Sequence, residues 1–154
     1  MAERARLRLC VGLTGTRSST KAMVDGVAAL RARQPAEVTA VVAGITELVG
    51  EAIVAASADD MPSLGRCLDK NQQLLRRLEL STDAIEQMCG AARGSGALGA
   101  KLTGAGGGGA VVALAGADDE AGAEVARDVV TAWRGLGYEG FDVRLGFDER
   151  GCAR

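Results

Sequence analysis

Between residues 104 and 109 the sequence is Gly-Ala-Gly-Gly-Gly-Gly, so five of six consecutive residues are glycine. Glycine has no Cβ, and inside a helix or strand each glycine costs about 0.5–1 kcal/mol relative to alanine. The run therefore predicts a loop rather than a regular element. Glycine also lets successive backbone N–H groups turn toward one point, and such concave turns are typical of phosphate and other anion sites.

Apolar sequence flanks the glycine run on both sides. Residues 98–103 and 110–115 are each typical of a short buried strand, so the loop joins two strands. Gly104, Gly106 and Gly109 match the spacing of the dinucleotide-binding motif, but that motif requires a helix after the glycines. A Walker A loop is excluded because no Gly-Lys-Ser or Gly-Lys-Thr closes the run. Flexible linkers mix glycine with serine, so a linker is disfavoured.

Composition limits the class of partner. The 154 residues carry a net charge of −2 and few aromatic side chains, so we expect no nucleic-acid partner. We expect no membrane partner either, because we find no secretory segment and the uninterrupted apolar runs fall short of the ~20 residues that span a bilayer. Histidine is absent, which excludes Ser-His-Asp and Cys-His catalysis and His-ligated zinc. We expect no metal site on this chain.

The four cysteines, Cys10, Cys67, Cys89 and Cys152, are scattered and form no C-x-x-C pair. Such a pattern is typical of reduced thiols that serve as packing residues in a cytoplasmic protein. We therefore expect a cytoplasmic location and no role for cysteine in catalysis.

Cap residues, turn residues and apolar spacing divide the chain into nine elements in one domain, 1–154, which fits this length. The predicted strands are 6–11, 98–103, 110–115 and 138–145, and the predicted helices are 20–33, 36–57, 61–78, 81–93 and 120–135. The alternation predicts that the first strand is half-buried, with Leu7, Leu9 and Val11 together on one face. Strands separated by helices, with one hairpin, indicate an α+β sandwich whose antiparallel or mixed sheet has helices packed on one face.

One polar position interrupts the apolar stripe of the third helix. The stripe calls for an apolar residue at Asn71 or Gln72, and an amide buried without a partner costs roughly 1–3 kcal/mol. The amide must therefore be hydrogen-bonded or face a wet cleft. We expect Asn71 to face a cleft and Gln73 to take part in helix–helix packing.

Residues 101–109, Lys-Leu-Thr-Gly-Ala-Gly-Gly-Gly-Gly, resemble the third conserved motif of the GHMP kinases, in the form typical of mevalonate kinases. Residues 14–21 are similar to that family's Thr-Gly-x-x-x-Ser-Thr-like loop, and residues 71–75 to its Met-Asn-x-Asn-Gln helix. Two positions depart from the pattern. Ala110 stands where the family often has cysteine, and Leu13 stands where an acidic or amide residue is usual, which puts a substrate contact from position 13 in doubt.

The resemblance implies a ferredoxin-like fold with a sheet of about four mainly antiparallel strands. It implies the C-terminal domain of an ATP-dependent kinase for a small metabolite, most simply mevalonate. The residues that it places at the nucleotide phosphates are Thr103, Gly104, Ala105, Gly106, Gly107, Gly108 and Gly109. The residues that it places on the acceptor side are Thr14, Ser18, Ser19 and Asn71.

The family's main phosphate loop, its catalytic aspartate and its Mg²⁺ ligands belong to an N-terminal domain that this sequence does not contain. The resemblance therefore implies that the N-terminal domain is the partner of this chain and holds most of the ATP and Mg²⁺. It also implies that this chain carries no catalytic residue and has negligible activity alone. Association with a second copy is open.

Three alternatives remain at the level of sequence. The first is a stand-alone domain that binds an anionic metabolite without catalysing a reaction. The second is a structural domain whose loop binds nothing. The third is part of a GHMP kinase with another acceptor, such as phosphomevalonate or homoserine. Ser18 or Ser19 also serves as an ordinary helix cap, with or without a ligand contact.

Overall fold

The computed structural model describes residues 7–146, and its nine elements follow the predicted order. The strands are β1 (Leu7–Leu13), β2 (Gly99–Thr103), β3 (Ala110–Ala117) and β4 (Glu139–Leu145). The helices are α1 (Thr20–Arg33), α2 (Pro35–Ser57), α3 (Met61–Arg77), α4 (Asp83–Gly94) and α5 (Glu120–Gly135). The predictions for position 6 of the first strand and for Cys152 fall outside the described residues.

The four strands form one antiparallel sheet in the order β2-β3-β1-β4. Helices α4 and α5 cover one face of this sheet. Trp133 from α5 and Ile85 and Met88 from α4 are fully buried in the core between the two layers. The structure confirms the predicted α+β sandwich with a four-stranded antiparallel sheet and helices on one face.

The face of β1 that packs on the helices differs from the expected one. Its apolar residues at 7, 9 and 11 do share a face, but the helices cover the opposite face, which carries Arg8, Cys10 and Gly12. A Cβ at Gly12 would lie 2.7 Å from the ring of Trp133, so glycine makes room for that ring. Arg8 is accommodated because two aspartate carboxylates lie 3.5 and 3.6 Å from its Nε. Alternation alone therefore identified the wrong face as the packed one.

The outer edge of β2 is covered by α3. Asp69 Oδ1 accepts a hydrogen bond from the Ala100 N–H at 2.9 Å, and Gln72 Oε1 accepts one from the Leu102 N–H at 2.7 Å. A Cβ at Gly65 would collide with the backbone just before β2, so the helix lies directly against the strand. Free N–H groups on an edge strand invite pairing with another chain, and these side chains occupy them.

Helices α1 and α2 form a hairpin beside α3, with a separate buried cluster of Leu30, Val38, Val41 and Leu78. By length and composition alone, α2 is long and apolar enough to cross a membrane. Polar residues do interrupt the apolar runs of α2, as the sequence indicates, but they do not lower its mean hydropathy below that of membrane-spanning helices. Core helices pass the same criterion, and α2 packs against α1 and α3.

Candidate functional site

The glycine loop, residues 104–109, joins β2 to β3 as predicted. All five of its glycines lie in the left-handed region of backbone space, which glycine adopts at little cost and other residues do not. The φ values are +87° at Gly104, +85° at Gly106, +70° at Gly107, +144° at Gly108 and +80° at Gly109. The glycine run is thus required by the backbone path of the loop.

Three of these glycines also lie against neighbouring segments. A Cβ would lie 2.5 Å from the Leu80 carbonyl oxygen at position 106, 2.5 Å from Met23 Sδ at position 107 and 2.6 Å from the Thr16 carbonyl oxygen at position 108. The loop is therefore packed between the β1–α1 connection and the segment before α4. At Gly104 and Gly109 an added Cβ meets nothing within 4 Å, so those two positions depend on φ alone.

Hydrogen bonds brace the glycine loop from the same two sides. The Gly107 N–H donates to the Leu80 carbonyl at 2.8 Å, and the Gly109 N–H donates to the Thr16 carbonyl at 2.9 Å. Thr14 donates both its N–H, at 2.9 Å, and its hydroxyl, at 3.0 Å, to the Gly109 carbonyl. The fold thus joins the glycine loop to residues that lie 95 positions earlier in the sequence.

Four amides of the glycine loop remain uncommitted. Within residues 7–146, the N–H groups of Gly104, Ala105, Gly106 and Gly108 donate to no backbone or side-chain acceptor. Backbone N–H groups that are held in place without an acceptor are suited to anions, and phosphate oxygens are strong acceptors. The loop therefore offers a braced set of neutral donors.

The β1–α1 connection supplies the residues predicted for the acceptor side. Thr14 is buried, and its hydroxyl is engaged with the Gly109 carbonyl. The Ser18 hydroxyl donates to the Gly106 carbonyl. Ser19 is exposed, and its Oγ accepts from the Ala22 N–H as the cap of α1. Thr14 and Ser18 thus support the loop, while Ser19 keeps an exposed hydroxyl at the end of the helix.

Thr103 and Lys101 lie on β2 just before the glycine loop. Thr103 is exposed at the end of the strand, opposite Ala110 of β3. Lys101 is half-buried on the sheet face that α4 leaves open, since Leu102 beside it points into the core. Burial lowers the pKa of Lys101, with a smaller opposing effect from Cys89. In the part of the chain that the structure describes, its ammonium forms no ion pair.

The buried amide of α3 is Gln72, whereas Asn71 is only half-buried and Gln73 is exposed. Gln72 accepts from the Leu102 N–H and donates to Ser81 Oγ and to Glu86 Oε1, both at 2.9 Å. Burial raises the pKa of Glu86, but the hydrogen bonds from Ser81 and Gln72 outweigh it and the net shift is downward.

Sequence analysis named Gln72 as one of two possible amides but assigned it no role. In the structure Gln72 lies on the buried side of α3 together with Met61 and Gly65, and no residue pattern in the sequence distinguishes it from Asn71. Asn71 makes no hydrogen bond to the glycine loop or to residues 14–19 within the described range. The structure therefore does not bring Asn71 into hydrogen-bond contact with the other candidate residues.

The described residues hold neither an activated thiol nor a metal cluster. Cys10, Cys67 and Cys89 are free and buried, as predicted for packing residues. Burial raises the pKa of Cys10 and of Cys89 to about 12, so both stay protonated at neutral pH. Over residues 7–146, no three His, Cys, Asp or Glu side chains are grouped so that they could hold a metal ion.

A protein-family model described as GHMP kinases C terminal matches residues 51–135, more than half of the chain. The chain belongs to the GHMP kinase C-terminal family. The match starts within α2 and ends with α5, so it includes Gln72 and the whole glycine loop. The resemblance first suggested by residues 101–109 is thereby confirmed.

Individual relatives agree with the GHMP kinase assignment. Mevalonate kinase of Pyrococcus horikoshii is 39% identical over 114 residues, which are 71% of this chain and 34% of that protein. Mevalonate kinase of Thermococcus gammatolerans is 37% identical with the same coverage. The crystal structure of L. major mevalonate kinase in complex with R-mevalonate superposes with a TM-score of 0.81 at 29% identity, over 92% of this chain and 44% of that one. The chain thus spans about a third of the curated relatives that it matches.

Proposed function

We propose that this chain is the C-terminal part of an ATP-dependent GHMP kinase that phosphorylates a small alcohol, with mevalonate as the acceptor. The observation that carries the proposal is the glycine loop, whose four uncommitted N–H groups are held in place by hydrogen bonds from two sides. The matched relatives, which are mevalonate kinases, support the choice of acceptor.

In this proposal the loop binds nucleotide phosphates. Transfer of a phosphoryl group depends on positioning and on neutralising charge around the phosphate oxygens, rather than on covalent chemistry by the protein. Donors that are fixed beforehand stabilise that charge without reorganising. The amides of Gly104, Ala105, Gly106 and Gly108 are such donors, and they are neutral, so they complement a phosphate without competing with a metal ion for it. ATP supplies the transferable phosphoryl group.

Residues around the loop take two different roles in the proposal. Thr14, Ser18 and Gly107 position the loop, because their hydrogen-bonding groups are engaged with the loop or with its neighbour Leu80. Ser19 and Thr103 are exposed beside it and can contact the nucleotide or the acceptor.

The remaining parts of the reaction need polypeptide beyond this chain. The described residues offer no cluster for Mg²⁺, and the matched relatives are about three times as long as the aligned region. We assign Mg²⁺, the catalytic groups and most acceptor contacts to an N-terminal GHMP kinase domain that meets the glycine loop. The free buried thiols fit a kinase that works in the cytoplasm.

The test is a coupled assay for ADP with ATP, Mg²⁺ and either mevalonate, phosphomevalonate or homoserine. The 154-residue chain is assayed alone and together with an N-terminal GHMP kinase domain. We expect turnover of mevalonate only when that domain is present. Turnover of another acceptor would keep the kinase but change its substrate, and turnover by the chain alone would contradict the assignment of the catalytic groups.

A matched pair of variants tests the loop itself. Gly108→Ala strains a residue with φ of +144° and should lower kcat/KM for ATP by at least about tenfold, because fixed donors of this kind are each worth that much or more. Gly90→Ala, on the exposed side of α4 with open space around it, should leave kcat/KM unchanged. Saturable ATP binding by the chain, without turnover under any condition, would instead favour a stand-alone binding domain.

A further inference from the structure

The chain has three lysines, and one of them lies apart from any carboxylate. The Lys21 ammonium lies 2.5 Å from Asp25. The Lys70 ammonium lies 3.6 Å from Glu51. In the part of the chain that the structure describes, the Lys101 ammonium makes neither an ion pair nor a hydrogen bond. A carboxylate beside an ammonium favours its charged form, so Lys101 lacks the influence that holds the other two lysines charged.

Lys101 stands at one end of a row of side chains that crosses the sheet. It lies opposite Val112 in the strand register, Val112 lies opposite Val11, and Val11 lies opposite Phe141. This row is on the face of the sheet that α4 and α5 do not cover, and Phe141 at its far end is 50% exposed. The neighbours of Lys101 in this row are therefore apolar, while the face itself stays open among the described residues.

The acidic side chains of the two helices that flank β2 have other partners. Asp69 of α3 is paired with Arg93 at 3.1 Å. Glu86 of α4 accepts a hydrogen bond from Gln72 at 2.9 Å. Neither carboxylate forms an ion pair with Lys101.

Burial therefore acts on the Lys101 amine with little to offset it. It lowers the pKa of Lys101, and the opposing effect of the Cys89 thiol is smaller. Each unit by which the pKa of an amine falls increases its neutral fraction at a fixed pH about tenfold. The neutral amine is the nucleophilic form, and partly desolvated lysines are the ones that proteins use as nucleophiles.

We propose that Lys101 is an acylation site of this chain, and that it takes the acyl group from a donor with an activated carbonyl, which is an acyl phosphate or an acyl thioester. The position of Lys101 on an open face, apart from any carboxylate, carries this proposal. It does not rest on the kinase assignment, because no step uses the glycine loop.

The reaction is a transfer of the acyl group to nitrogen. The ammonium first gives a proton to water, and Nζ then attacks the carbonyl carbon of the donor. An N–C bond forms, and the C–O bond to phosphate or the C–S bond to the thiol breaks, with the electron pair leaving on the departing group. A second proton passes from nitrogen to that group, and nothing is oxidised or reduced.

Peptide mass spectrometry of the 154-residue chain tests the proposal after timed incubation with acetyl phosphate or, in a second arm, with acetyl-coenzyme A. The acetylated fraction is measured separately at each lysine, so Lys21 and Lys70 are controls within the same molecule. We expect Lys101 to be acetylated at least about fivefold faster than either of them in one or both arms. The arm that shows this ratio identifies the class of donor, and a smaller ratio in both arms would overturn the proposal.

A matched pair of substitutions tests the physical cause. Val112→Asp places a carboxylate directly across the strand from Lys101, where opposite charges interact, and should lower the acetylation rate of Lys101 to that of Lys21. Val112→Asn has a similar shape without the charge and should keep the ratio of the parent. Far-UV circular dichroism checks that both variants fold, and if either does not, the comparison of the three lysines in the parent decides alone. Equal acetylation of Lys101 in two folded variants would contradict the proposal.

Discussion

The side-chain oxygen of Gln72 accepts a hydrogen bond from the backbone N–H of Leu102 at 2.7 Å, two residues before the glycine loop. Gln72 is 3% exposed, and its nitrogen donates to Ser81 and to Glu86. One amide therefore ties α3 both to β2 and to the start of α4. Because Leu80, beside Ser81, accepts a hydrogen bond from the loop, Gln72 supports one of the two segments that hold the loop in place and also the strand that leads into the loop.

Replacing Gln72 by leucine should destabilise the protein by about 2–3 kcal/mol, because the buried Leu102 N–H loses its acceptor and Glu86 loses a donor. Urea unfolding measures this change in the free energy of unfolding. Gln73→Leu, at the exposed neighbouring position, is the control and should change stability by less than about 0.5 kcal/mol. Equal effects of the two substitutions would show that the hydrogen bonds of Gln72 contribute little.

Two glycines of the loop should differ in their tolerance of alanine. Gly104 and Gly106 have nearly the same φ, so each alanine costs about 1–2 kcal/mol of backbone strain. At Gly106 the new Cβ would also lie 2.5 Å from the Leu80 carbonyl oxygen, whereas at Gly104 it meets nothing within 4 Å. Thermal unfolding should therefore show a clearly lower midpoint for Gly106→Ala than for Gly104→Ala. A reversed order would mean that the loop shifts freely away from Leu80.

The hydroxyl of Thr14 should contribute about 1 kcal/mol to the stability of the loop, as is typical of one hydrogen bond to a carbonyl. Thr14→Val removes this donor to Gly109 while keeping a similar shape, and Thr14→Ser keeps the donor. Amide hydrogen exchange provides the local measurement. The Gly109 N–H, which donates to Thr16, should exchange severalfold faster in the valine variant than in the serine variant. Identical exchange in the two would argue that Thr14 does not brace the loop.

The buried thiols predict a loss of stability in alkaline solution. Burial raises the pKa of Cys10 and of Cys89 from 9.0 to about 12 in the folded state. The folded protein then holds these protons more tightly than the unfolded chain, so their contribution is fully present below pH 9 and is lost as the pH rises from about 9 to 12. Because of the two thiols, the free energy of unfolding should be roughly 2–3 kcal/mol lower at pH 10 than at pH 8.

Urea unfolding at pH 8 and pH 10 measures this contribution. Lysine and tyrosine side chains also titrate in this range, but they do so equally in the parent protein and in a variant that lacks the two cysteines. A Cys10→Ala, Cys89→Ala double variant should lose less stability between the two pH values than the parent does. The interpretation fails if the parent and the double variant have the same pH dependence.

Much of the local structure follows from short stretches of sequence. Helices α1 and α5 begin and end where predicted, because Ser19 and Asp119 cap their first turns through contacts over three residues. The glycine loop was predictable for a related reason, since residues without Cβ tolerate positive φ wherever they occur. The family resemblance carried by residues 101–109 was confirmed for the same segment.

The candidate site was only partly predictable. The sequence pointed to residues 104–109 and 14–19 separately, and the structure shows them hydrogen-bonded to each other. It did not predict that Gln72, rather than Asn71, is the buried amide, because adjacent amides on a helix differ only in which neighbour they face. The contact from Leu80 had no signal in the sequence, since a backbone carbonyl is present at every residue.

The sequence by itself determined the order and type of the nine elements and the position of the glycine loop, because caps, turns and apolar spacing act over a few residues. Only the tertiary structure decided which face of β1 meets Trp133, which amide of α3 supports β2, and which four loop amides find no acceptor among residues 7–146. Those outcomes depend on the space and the hydrogen-bond partners offered by segments as far apart in the sequence as Gly12 and Trp133, and local residue patterns do not encode them.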